Sequence, residues 1–228
     1  MTHIFRLTLL VGLVACTGGS WPLVGPGAAA AQAAVPPKST SKVKLPPAIA
    51  LNTQGLAGQI VGVLPSTLVT ARDSLAGKPP FTDRSASTRW VDSLFGEGLM
   101  LRAPEVNWKL PAQMRSLARR APGIAADPDY MGQAALRNPE MDKVPDPLIS
   151  NLRTLMAIAG GRYVLVPAAL SFQHDSTGAV ETHMNVAGVD TRLGTVVFHT
   201  YIVASGATPA AAIDSAMVIL LPVIDVDR

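Results

Sequence analysis

The stretch from 146 to 166 limits the fold more than any other part of the sequence. Asp146 is a good helix N-cap, Pro147 suits the first helical position, and Gly160-Gly161 suits the stop. Between them Leu148, Leu152, Leu155, Met156 and Ala159 recur at three- and four-residue spacing. Arg162-Tyr163-Val164-Leu165-Val166 then follows with no linker as an apolar β run. An amphipathic helix that turns straight into a strand must fold back over a sheet containing that strand, which places the chain among α/β architectures. Pro167 removes a ladder donor, so this strand should end, bulge or lie at an edge there.

The flanking sequence agrees. Gln59 to Pro65 reads as a short buried strand. Ala86 to Leu101 reads as a helix with Trp90 four residues from Leu94 and Val91 four from Phe95. Glu105 to Trp108 alternates like a strand, and Pro111 opens a short helix carrying Met114, Leu117 and Ala118. Gln173 to Gly178 is a turn cluster. Val180–Val189 and Thr195–Val203 form a hairpin through the five residues 190–194, a register that sets His183 near Tyr201 and His199 near Asn185. Thr208-Pro209 opens a helix toward Leu220, Pro222 stops it, and Val223 to Val226 supply a last strand. The expected fold class is α/β (α+β): a single mixed sheet with flanking helices and a late antiparallel hairpin. The hydrophobic fraction of 48% is enough to fill its core. Residues 104–147 carry seven prolines and read as an irregular insertion, the segment expected to offer a variable contact surface.

Ahead of this domain, taken as residues 48–228, stand a leader (1–16) and a tail (17–47). Arg6 and the nine apolar residues Leu7–Ala15 have the form of a secretory signal and are too short to span a bilayer, which takes about 20 residues. Two cleavage readings stay open: Leu13-Val14-Ala15-Cys16, in which Cys16 would be lipidated, and Ala31-Gln32-Ala33. The favoured reading is lipidation at Cys16, the sole cysteine. The tail is rich in Gly, Ala and Pro, reads as a disordered tether, and ends near Lys38, Lys42 and Lys44. Those lysines and Arg6 account for the net charge of +3, because from Ala48 onward 15 basic residues face 16 acidic ones. The body therefore lacks the basic footprint of a nucleic-acid binder. A lone cysteine also excludes an internal disulfide framework.

The order of motifs resembles a known group. A strand ending Val63-Leu64-Pro65 precedes a helix with Asp92-Ser93-Leu94, and a later helix runs into Gly160-Gly161-Arg162-Tyr163-Val164-Leu165-Val166. A hairpin follows whose turn reads Val189-Asp190-Thr191-Arg192-Leu193-Gly194-Thr195. This is similar to the small α/β domain of bacterial envelope proteins of the TolB amino-terminal, LpoB and CsgG type, over about residues 59–203. Gly161-Arg162 stands where those families have Ala-Asp, and Leu193-Gly194 where they have Thr-Gly. The resemblance implies a non-enzymatic envelope protein that works through protein contacts, and it carries no catalytic residues across. Thr17 rather than Asp after Cys16 implies, by the same analogy, outer-membrane anchoring facing the periplasm.

For chemistry, Arg115, Arg119 and Arg120 form the densest basic cluster and are the candidate partner-binding residues. Glu181 and His183 alternate onto one face of the hairpin and, with His199, make the alternative reading of a metal site, against a plain polar stripe. No G-x-S-x-G elbow or phosphate loop occurs, and no cofactor is expected. The alternatives that stay open are a soluble periplasmic or secreted enzyme or small-ligand binder, and a subunit of an oligomeric envelope assembly.

Overall fold

In the computed structural model, which describes residues 47–222, the chain forms one mixed sheet of six strands with helices on both faces. The sheet order is β3-β1-β4-β5-β6, where β1 is Ile60–Val63, β3 Asn107–Lys109, β4 Tyr163–His174, β5 Val180–Asp190 and β6 Thr195–Gly206. A three-residue strand, β2 (Val69–Ala71), pairs with β4 beyond the end of β1. The pairs β1/β3, β1/β4 and β2/β4 are parallel, and β4/β5 and β5/β6 antiparallel. The mixed α/β fold expected from the sequence is therefore present. The leader, Cys16, most of the tail and the strand expected at 223–226 lie outside the described residues. No helix among the described residues is long and apolar enough to cross a membrane.

Helices α1 (Arg84–Arg102) and α4 (Pro209–Leu220) cover one face, burying Val91, Phe95, Leu99, Ile213 and Met217 against Val63, Leu165, Phe172, Met184 and Ile202. Helices α2 (Pro111–Arg120) and α3 (Leu148–Ala159) cover the other, burying Met114, Leu152 and Met156 against Leu64, Val164 and Val166. The alternation of Val164, Leu165 and Val166 between the two layers is the strand period applied to a sheet buried on both sides. Residues 104–147 belong to this architecture. They contain β3 and α2, and their 3-10 turns at Pro128–Tyr130 and Gln133–Arg137 bring Met131 and Leu136 into the second layer, along with Val144.

Local chemistry sets the boundaries. Asp83 caps α1 by accepting from the Ala86 amide at 2.9 Å, and Thr208 caps α4 through Ala211. Gly160 ends α3 at φ +76°, the left-handed conformation that glycine adopts at least cost. Gly161 has a different reason to be small: a Cβ there would stand 2.6 Å from the Ile60 carbonyl oxygen. The cap expected of Asp146 is absent. Pro147 occupies the N-cap position, and Asp146 accepts from the Ser150 hydroxyl instead. Strand β4 does not end at Pro167. It passes through a register shift between Pro167 and Ala169 and continues to His174.

The hairpin register differs from expectation, although the expected approach of His183 to Tyr201 is present. His183 stands opposite Val203, Asn185 opposite Tyr201, and Ala187 opposite His199. Two one-residue effects add up. The connection is 191–194 because Asp190 pairs with Thr195, and a bulge between Gly188 and Val189 leaves Val197 unpaired on β6.

Candidate functional site

Strand β1 has a parallel neighbour on each side, and the connections to them leave on opposite faces: α1 leads to β3, while α2 and α3 precede β4. Such a switch point opens a crevice beyond the carboxyl end of the strand. Here a cleft of about 590 Å³ lies there, lined by Ser66 and Thr67 after β1, Arg84 and Arg89 of α1, Arg115 of α2, and Tyr130.

Its floor is an ion network. Arg115 donates from Nη2 to Asp92 Oδ2 at 2.7 Å and from Nε and Nη2 to Asp129 at 2.8–3.1 Å. The second Asp92 oxygen accepts from the Ser66 amide at 2.7 Å. Burial pushes the Asp92 carboxyl upward, and the Ser66 amide and Arg115 oppose that by hydrogen bonding its charged form. The Arg115 guanidinium is held above its ordinary range, first by Asp129 and then by Asp92. The site thus ties α1, the β1 loop, α2 and the 128–130 turn together.

The rim differs. Arg84 donates to the Thr67 carbonyl at 2.9 Å, and Arg89 donates to the Ser85 carbonyl and hydroxyl. Among the described residues neither forms an ion pair. Tyr130 beside them is 85% exposed, unusual for an aromatic ring at the mouth of a cleft. Of the three arginines singled out from the sequence, only Arg115 reaches the cleft, and it is committed to Asp92 and Asp129. Arg119 and Arg120 are exposed in the last turn of α2, where positive charge favours the helix dipole. Arg84, Arg89 and Tyr130 escape a reading based on basic clusters. A helix start at Asp83-Arg84-Ser85, downstream of a strand closed by Pro65-Ser66-Thr67, marks Arg84, whereas no local signature marks Arg89 or Tyr130.

The hairpin face presents a second polar group. Glu181 Oε1 lies 2.6 Å from His183 Nε2, and His183 Nδ1 lies 2.6 Å from the Tyr201 hydroxyl. The tautomer with hydrogen on Nε2 satisfies both contacts, its Nδ1 accepting from the phenol. Gln173 donates to Glu181 at 2.9 Å, and this bond, followed by that of His183, holds the Glu181 carboxyl below its ordinary range. His199 does not join them. It stands opposite Ala187, its Nε2 is buried without a hydrogen bond, and burial holds its imidazole below the ordinary value. The Glu181/His183/His199 set is therefore not assembled, and no group of three metal-ligating side chains converges among the described residues. His174 bonds Ser74 and the Gly178 carbonyl.

Asp190 shapes the hairpin turn. It accepts from Nε and Nη2 of Arg162 and from the amides of Arg192 and Leu193. Arg162 foremost, with those amides, holds its carboxyl below the ordinary range. A depressed folded pKa contributes stability above the unfolded value, about 3.9. That contribution is lost as pH falls through the folded value. Urea titrations at about pH 5 and about pH 2.5 should therefore show a steeper acid loss for the wild type than for Asp190→Asn. Equal losses would remove Asp190 from the acid limb.

No family model matches the chain, and no curated protein matches it. Several solved structures do. The LpoB C-terminal domain from Salmonella enterica is 15% identical, with 66% of this chain and 84% of that chain covered and a TM-score of 0.37. A PelC dodecamer from Paraburkholderia phytofirmans is 10% identical, covering 77% and 91%, with a TM-score of 0.35. Lipoprotein GNA1162 from Neisseria meningitidis is 12% identical, covering 66% and 82%, with a TM-score of 0.31.

Proposed function

We propose that this chain is an exported cell-envelope protein, anchored in the outer membrane through a lipid on Cys16 and facing the periplasm, whose α/β domain binds another envelope protein at the cleft beyond β1. The observation that carries the binding reading is the rim of that cleft. Arg84 and Arg89 form no ion pair among the described residues, although Asp83 lines the same cleft, and they stand next to the exposed ring of Tyr130. Arginine and tyrosine are the residue types over-represented at the energetic centres of protein interfaces, and two guanidinium groups outside any ion pair favour an acidic segment. Asp92 and Asp129 fix Arg115 beneath them, so the rim rests on a rigid floor. What supports the anchor is the run Leu13-Val14-Ala15-Cys16 behind a nine-residue apolar segment, followed by a Pro- and Gly-rich tail.

Two experiments test the parts separately. Incorporation of radiolabelled fatty acid should disappear in Cys16→Ala, and its persistence would overturn the anchor. Chemical crosslinking in intact cells, followed by mass spectrometry, should recover a specific partner from the wild type. An Arg84→Glu/Arg89→Glu variant should reduce that yield at least about tenfold, the effect of some 1.4 kcal/mol of lost binding. Arg119→Glu/Arg120→Glu should leave it unchanged. Equal yields from both double variants, or no specific partner at native expression, would sink the cleft reading.

A further inference from the structure

Strand β6 forms one border of the sheet, with β5 alone beside it. Its first residues are covered: the Val144 amide donates to the Gly194 carbonyl, and the Val196 amide donates to the Asp142 carbonyl. Beyond Val196 no backbone hydrogen bond from another segment reaches its outer side among the described residues. Proteins usually protect such an edge with lysine, proline, inward charge or a very short strand. β6 runs for 12 residues (TVVFHTYIVASG) without a Lys, Arg, Asp, Glu or Pro. The bulge at Val197 lies at its covered end and leaves the free stretch 198–206 regular.

We propose that this edge pairs with the same edge of a second copy, antiparallel about a two-fold axis through Ile202, continuing the sheet across a homodimer. The sequence of the strand selects this occupant. Bulky side chains fill its first half and small ones its second, so a two-fold register about Ile202 sets Phe198 opposite Gly206, His199 opposite Ser205, Thr200 opposite Ala204 and Tyr201 opposite Val203. Each of these four pairs joins a larger side chain with a smaller one, and on the axis Ile202 meets its own copy. One of them, Tyr201 with Val203, is an aromatic–β-branched pairing of the kind that stabilises antiparallel sheets, while at Gly206 the place of a Cβ is taken by Ala211 and Ala212 of α4. A strand without charge meets no like-charge opposition when it pairs with itself. An isologous contact of this kind also closes at two subunits rather than growing into a fibre.

The surroundings fit the same geometry. Helix α4 packs along β6 and β5, so a continued sheet brings the two α4 helices side by side on one face. Apolar side chains stand exposed around this border: Val197 and Val203 on the strand, and Ile219 on α4. Ile49 is exposed as well, and its amide donates to the Thr200 hydroxyl of β6.

Sedimentation equilibrium of the purified full-length protein, in one detergent throughout, should show a monomer–dimer equilibrium. A Val203→Lys/Ser205→Lys variant, altered only at exposed positions, places cations of both copies on the facing strands. It should raise the dimer dissociation constant at least about tenfold, while Leu101→Lys on exposed α1 surface should not. Register is checked independently of folding losses in that variant. On a Cys16→Ser background, a mixture of His199→Cys and Ser205→Cys proteins should oxidise to a mixed disulfide dimer, and neither protein alone should do so efficiently. A monomer at every concentration would overturn the proposal. So would a dimer indifferent to the folded double-lysine variant, or crosslinking of like variants in preference to the mixed pair.

Discussion

Replacing Arg115 by alanine should lower the free energy of unfolding by about 3–5 kcal/mol, the cost of leaving a buried carboxylate without its partner. Asp92 is only 7% exposed, so it cannot recover hydration when the guanidinium is gone. Its remaining bond, from the Ser66 amide, satisfies one oxygen only. The deficit should depend on pH in a defined direction. Without Arg115 the folded Asp92 is pushed further above its unfolded value, so the folded state binds the proton more tightly than the unfolded chain does. The penalty is then full above the raised folded pKa and shrinks as pH falls toward the unfolded value, about 3.9. Urea unfolding followed by tryptophan fluorescence at two pH values measures it. Arg119→Ala, on exposed helix surface, should stay within about 0.5 kcal/mol of the wild type. Equal stabilities of the two variants would mean that Arg115 is not the structural tie assigned to it.

Phe172→Ala should destabilise by a comparable amount, about 3–5 kcal/mol, through lost transfer energy plus an unfilled cavity. Phe172 is fully buried, with ring centroids 4.9 Å from Phe81 and 6.0 Å from Trp90. Phe81 lies in the loop before α1 and Trp90 within α1, so this one ring anchors both to the continuation of β4 beyond Pro167. The expected result is a lower urea midpoint with an unchanged slope, accompanied by a loss of near-ultraviolet dichroism from Trp90. A midpoint within the error of the wild type would show that the aromatic group repacks around the gap.

Where the fold is written in contiguous residues, it can be read. The Gly160 stop, the Thr208-Pro209 start and the apolar stripe of α1 each act within a turn or two, and each appears as expected. Strand β2 escapes because three residues in a polar stretch carry no period; it exists because β4 extends past Pro167 and offers an edge to Val69–Ala71. The hairpin is legible as a hairpin but not in its register, since neither the length of its turn nor its bulge is marked by a residue requirement strong enough to decide it. The site is less legible still. Asp92 and Arg115 are 23 residues apart and meet only because α1 and α2 leave opposite faces of the sheet beside one strand. Reading basic residues by adjacency groups Arg115 with Arg119 and Arg120, whereas the structure separates one buried tie from two solvated charges.

The sheet order also schedules assembly. β4, β5, β6 and α4 are consecutive, and each packs against a neighbour in sequence, so this half can form at low loop-closure cost. β1 is different: one of its two partners, β4, begins only at Tyr163. Until Tyr163 has been made, β3 is the sole strand partner on offer to β1, through a parallel pairing of three residues that leaves one flank open. The apolar run Val61–Leu64 must then wait, uncovered on that flank, for the last third of the protein to arrive. The interval before β4 closes over β1 is the time at which this chain most needs protection from misassociation.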